Sequence, residues 1–132
     1  MPELCTFEYC IIRVVPRVER EEFLNVGVLL SCATHEFLQA RIEVDRDRLK
    51  AFSPALDFLA VEEYLRSIPL VCAGGAEAGP LGQLPQRARF HWLAAARSTI
   101  IQTSPIHSGL CECPHATLER LLDTMVRVPL KS

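Results

Sequence analysis

The chain has 132 residues, of which 49% are apolar and 23% charged, the balance of one ordinary soluble globular domain with its own core. A net charge of −2 argues against a protein that coats nucleic acid, because that affinity comes from neutralising phosphates with many cations. No apolar run approaches the roughly 20 residues needed to cross a bilayer, and the opening MPELCTFEYCIIRVVPR carries no basic leader, so the expected location is the cytoplasm.

In chain order, Phe7–Val15 (FEYCIIRVV) is rich in β-branched and aromatic residues and is stopped by Pro16, which predicts a strand. Its near-continuous apolarity places it inside a sheet, with Arg13 as its one charge. RVEREEF follows as a charged connection, where arginines interleave with Glu19, Glu21 and Glu22 as a solvated, salt-bridged turn. Asn25–Cys32 (NVGVLLSC) is a second strand, and Gly27 within it suggests a bulge or a close backbone approach. Phe37–Val44 (FLQARIEV) alternates, with Leu38, Ala40, Ile42 and Val44 inward and Gln39, Arg41 and Glu43 toward water or a partner. Three consecutive strands predict an antiparallel meander.

Asp45 caps a short helix, DRDRLKAF, and Ser53-Pro54 reads as a second start signal. The helix after it buries Phe58, Val61, Leu65 and Ile68, and Pro69 is expected to end or kink it. Residues 76–84 read as a surface loop. QRARFHWLAAAR forms a helix with Phe90 and Leu93 inward, and STIIQTS a fourth strand ended by Pro105. SPIHSGLCECPH reads as a loop into a last amphipathic helix, Pro114–Val128, with Cys113 at its N-cap. The fold class is α+β: a mainly antiparallel sheet, a βββ meander plus a later strand, packed by helices in a single domain spanning 1–132.

The six cysteines do not read as a disulfide framework, since a chain this rich in core formers needs none and the cytoplasm keeps thiols reduced. Cys10, Cys32 and Cys72 lie in apolar context, whereas Cys111 and Cys113 read as exposed. A helix N-terminus favours the thiolate, which marks Cys113 as the most reactive. His107, Cys111, Cys113 and His115 offer four zinc-compatible donors, but their spacing differs from the paired arms of structural zinc sites. A helix-entry loop is the better reading, and no metal is expected. Arg97, Ser98, Gln102, Ser104 and His107 bracket one strand, where Gln102 and Ser104 share a face and His107 can follow them around Pro105. No phosphate loop, dinucleotide fingerprint or H-E-x-x-H motif occurs, so no cofactor is expected. Arg13, a charge inside an apolar strand, must find a partner or an open face.

Two segments together, RVVPRVEREEFLNVGVLL and RFHWLAAARSTIIQTSPIHSGL, resemble the bacterial domain-of-unknown-function family 3037 over nearly the whole chain. The resemblance implies a small cytoplasmic α+β protein, often encoded beside HipA-like kinase domains and so associated with toxin–antitoxin or regulatory pairs. It brings no catalytic residues. Its signature falls on Arg13, Pro16, Arg17, Glu22, Asn25, Gly27, Arg89, Trp92, Arg97, Ser98, Gln102, Ser104, Pro105, His107 and Gly109. The expectation is a non-enzymatic accessory or regulatory module that binds a protein partner, a HipA-like kinase being the first candidate. Its surface or pocket is expected among Arg13, Arg17, Arg89, Arg97, Ser98, Gln102, Ser104 and His107. A homodimer is compatible with the open meander. Two alternatives are a small hydrolase or nuclease-like enzyme with an Arg/Gln/Ser/His pocket, and a nucleic-acid binder using Arg13, Arg17, Arg87, Arg89 and Arg97.

Overall fold

The computed structural model describes residues 3–95 and 99–128. Strands β1 (Cys5–Val14), β2 (Leu24–Cys32) and β3 (Phe37–Ile42) form the antiparallel meander. Two short 3-10 turns join them, closed by Glu21 at φ 55° and Glu36 at φ 50°. Helices α1 (Arg46–Phe52), α2 (Phe58–Ala73) and α3 (Gln86–Ala94) follow, with a 3-10 segment at Ala76–Gln83 where the sequence reads as a loop. The chain then returns as β4 (Ile101–Thr103) and β5 (His107–Cys111), both antiparallel to β1, and closes on α4 (Pro114–Met125). The sheet order is β3-β2-β1-β4, with β5 also on β1.

β4 and β5 are one strand broken in the middle. Thr103 lies opposite Ile12 and His107 opposite Tyr9, so three residues on the returning strand span two on β1. Pro105 sits in that excess; it has no N–H to give to a ladder. Half of the stretch that reads as a loop is therefore strand. A proline followed by only five residues leaves too short a period-two pattern to read from sequence.

Both faces of the sheet are covered. Cys10, Ile12, Val14 and Leu29 pack with α2 and α3, while Phe7, Ile11, Val28 and Leu30 pack with α4. This explains the unbroken apolarity of β1 and β2, because alternate side chains enter two different cores. β3 is an edge strand and alternates. Arg41 on it and Glu43 just after it reach across to Glu119 and Arg127 at 2.9 and 2.7 Å on the α4 side. Gly27 sits at a bulge, since Ile12 pairs with Gly27 but Arg13 with Asn25. A Cβ there would lie 2.7 Å from the Arg41 carbonyl oxygen, so β3 approaches β2 too closely for any side chain.

The start of α2 differs from the expectation, while its end falls at the Gly74-Gly75 pair. Asp57, not Ser53, caps α2, its carboxylate accepting from the Ala60 N–H at 3.1 Å. Pro69 does not end α2, which continues to Ala73. The proline costs one backbone hydrogen bond, and burial of Val71 and Cys72 beyond it offsets that loss. Gly74, at φ 76°, stops the helix.

Candidate functional site

The candidate residues are distributed by the two-faced sheet. Directly opposed residues in an antiparallel pair share a face. Arg13 faces Gln102, and Tyr9 faces His107, while Ser104 lies between them and exchanges hydrogen bonds with Ile11. Gln102, Ser104 and His107 thus share the α4 side with Arg13, as period two and the Pro105 turn predict. They form a row, not a pocket: Arg13 and His107 sit four strand positions apart, about 13 Å at 3.3 Å per residue.

Each member of the row has a different state. The Ser104 hydroxyl is buried; it accepts from the Ile11 N–H at 2.8 Å and donates to the Pro105 carbonyl at 2.9 Å. It replaces the ladder carbonyl that the break at Pro105 takes away, and so stitches β4 to β1. His107 is exposed and its ring tilts against Tyr9, with centroids 5.3 Å apart. Gln102 gives its amide to the Thr99 carbonyl at 3.0 Å. The concavity it borders on the opposite side, with Tyr64, Ser67 and Trp92, is about 90 Å³. Small-molecule sites commonly measure roughly 300–1,000 Å³.

Arg13 is half-buried, and its guanidinium lies 3.9 Å from the centre of the Phe23 ring. Its Nε is buried with no hydrogen-bond partner among the described residues, and so is Oδ1 of Asn25, its neighbour across the pair. The Asn25 amide nitrogen donates to the Met125 carbonyl at 3.0 Å, fixing β2 to the end of α4. An arginine on an exposed aromatic ring, without an ion pair among the described residues, keeps its charge available to an incoming group. Phe23, 43% exposed, and Tyr9 complete the stripe and were not read from the sequence. A lone phenylalanine beside a charged turn was the available signal.

The remaining candidates lie elsewhere. Arg89 donates to the Val71 and Cys72 carbonyls at 2.9 and 2.6 Å and to Leu84 at 3.0 Å, closing the end of α2 rather than facing a ligand. Arg17 lies exposed at the first 3-10 turn. Arg87 pairs with Glu8 and reaches the Ser31 hydroxyl at 3.2 Å, on the face opposite Arg13. The described arginines therefore do not share one face, as a phosphate-tracking surface requires. Arg97 and Ser98 lie outside the described residues.

No three His, Cys, Asp or Glu residues among the described ones converge on a metal position. His107 and Cys111 stand at opposite ends of β5, and His115 is exposed on α4. Cys111, expected to be exposed, is buried beside Cys5 and Cys32, and burial raises its thiol pKa. Cys113 stands at the N-cap of α4 without a side-chain cap bond and is exposed. No described helix is long and apolar enough to cross a membrane.

No curated protein and no solved structure matches the chain. A family model does, over residues 9–126, which include the β1–β4–β5 stripe, the Gly27 bulge and the Arg89 closure. The chain belongs to the family described as protein of unknown function, DUF3037.

Proposed function

We propose that the protein is a non-enzymatic accessory module that binds a protein partner through the stripe on β1, β4 and β5. The observation that supports this most is Arg13 stacked on exposed Phe23, its Nε unpaired among the described residues, in a row with Tyr9 on β1 and with Gln102 and His107 on the neighbouring edge strands. Arginine and aromatic residues are the side chains that dominate protein interfaces when a partner desolvates them. Exposed Ile106 adds apolar area beside His107. A hydrolytic or nuclease reading finds less support, because the Ser104 hydroxyl is committed to the Ile11 backbone and to Pro105. A HipA-like kinase is the first partner to test, the cytoplasm the proposed setting, and a toxin–antitoxin or regulatory pair the proposed context.

The test is affinity purification of the tagged chain from its native host, beside the variants Phe23→Ala and His107→Ala. Both residues are exposed, so their loss should leave the melting temperature within a few degrees of the parent. A stoichiometric partner that is retained by the parent and lost by both variants is expected. Recovery of no stoichiometric partner sinks the proposal.

A further inference from the structure

The opposite edge of the sheet carries a different signal. β3 pairs only with β2 among the described residues, so its outer backbone groups are unpaired. Their direction can be worked out. The Glu43 N–H donates to the Val26 carbonyl at 2.8 Å, in the register that pairs Ile42 with Gly27. In an antiparallel ladder, residues alternate between those that bond the neighbour and those that aim their N–H and C=O away. Arg41 and Gln39 therefore follow Glu43 in bonding β2, while Leu38, Ala40 and Ile42 present both groups to the open edge. The side chains of these three residues lie on the α2 face.

Above this edge runs a groove between β3 and α2. Its larger section, about 610 Å³, lies between Ile42 and Val44 on one wall and Leu65, Pro69 and Leu70 on the other, with Arg46, Glu62 and Arg66 at its end. Its smaller section, about 330 Å³, lies between Leu38, Ala40 and Pro69, Cys72, Ala73. Pro69 lines both, so the groove is continuous along the strand. A strand added to this edge would place the residues opposite Leu38, Ala40 and Ile42 into the groove, because opposed residues share a face. The occupant must therefore alternate apolar and polar over five residues. With antiparallel pairing its N-terminal side meets the arginine end, where Arg46 is paired with Glu62 and Arg66 has no ion pair among the described residues. An acidic residue just before the apolar series would complete it.

The chain contains that sequence, in β3 itself. Glu36 precedes Leu38-Gln39-Ala40-Arg41-Ile42. We infer that β3 pairs with β3 of a second copy, with Ala40 on the two-fold axis. Leu38 of each copy then lies beside Ile42 of the other, and Glu36, in the turn that opens β3, comes to the end of the other copy's β3 where Arg66 stands. Ala40 opposite Ala40 pairs two residues that both aim their backbone groups outward, as the ladder requires. One strand edge alone buries little of the roughly 1,200–2,000 Å² typical of stable interfaces. The α2 flank supplies more, with Leu70 41% exposed and Pro69 and Ala73 also exposed. This inference is independent of the partner proposed for the β1–β4–β5 stripe, which the dimer leaves open.

Sedimentation equilibrium of the full chain over a wide concentration range tests it. A reversible dimer is expected, and Leu70→Glu should weaken it by about a hundred-fold, since it puts a charge into the apolar contact. Glu36→Arg and Arg66→Glu should each weaken it by about ten-fold, and the double variant should recover most of the loss, the signature of a direct pair. All of these side chains are exposed, and circular dichroism melts will show whether each variant folds. A chain that stays monomeric at millimolar concentration overturns the inference. So does a dimer indifferent to Leu70→Glu, or one in which the charge exchange restores nothing.

Discussion

The two edges of the sheet solve the same problem in different ways. β3 is continuous over six residues, presses so closely on β2 that Gly27 has no room for a side chain, and has a helix flank beside its open edge. The β4–β5 edge is broken at Pro105, is held at the break by the Ser104 hydroxyl, and presents a polar and aromatic stripe along its α4 side. Open strand edges invite pairing, and a proline or a bulge is one of the ways natural sheets blunt them. β3 therefore keeps an unbroken row of outward backbone groups beside an apolar flank, while β4–β5 gives up part of its ladder at Pro105.

The largest expected effect is beneath β3. Gly27→Ala forces its Cβ against the Arg41 carbonyl, where no flexible side chain can give way, and should cost about 3 kcal/mol in chemical denaturation. An unchanged midpoint would mean that β3 is not locked to β2. Ser104→Ala comes next. It leaves the buried Ile11 N–H without its acceptor, at a cost of about 2 kcal/mol. Hydrogen exchange should show the Ile11 amide losing protection while the amides of β3 keep theirs; equal loss in both places would deny the stitching role.

Two smaller effects are expected in the core and on β5. Burial pushes the Cys10 and Cys72 thiols up to about 12 from an ordinary 9.0, so they keep their protons in the folded state while the unfolded chain loses them. The folded state then binds more protons than the unfolded one, and stability must fall as pH rises from about 9 to about 12, being fully present below that window. Melting temperatures of the parent against Cys10→Ala/Cys72→Ala should diverge less as pH climbs through this range; parallel curves would show that the thiols do not report core burial. Finally, Leu110→Lys adds a charge to the 63%-exposed position on β5 and should change stability by less than about 0.5 kcal/mol. It should leave self-association untouched, and a monomeric Leu110→Lys variant would move the contact between copies from β3 to β5.

Much of the local structure was legible because its cause is local. Asp45 starts α1 with its carboxylate on the Arg48 N–H, and the spacing of Val61, Leu65 and Ile68 sets the buried stripe of α2. Gly27 marked the bulge, and the alternation of β3 separated its two faces correctly. Pro69 left open whether α2 ends or kinks there; its penalty is local, while the burial of Val71 and Cys72 that carries the helix on to Gly74 comes from tertiary packing. Cys111 misled for the same reason: polar neighbours in sequence say nothing of the α4 side chains that cover it. Arg89 looked like a surface cation, yet only the fold brings the last carbonyls of α2 within its reach.

By itself the sequence determined the α+β class, the meander and the helix stripes. These follow from period, capping and composition, which neighbouring residues carry. Tertiary structure alone decided where the polar candidates meet, because β1 separates Arg13 from His107 by four strand positions and turns Glu8, the partner of Arg87, to the face opposite Arg13. Which groups meet depends on strand register and on which face each side chain takes, and those are set by pairing between segments as far apart in the chain as Cys5 and Cys111.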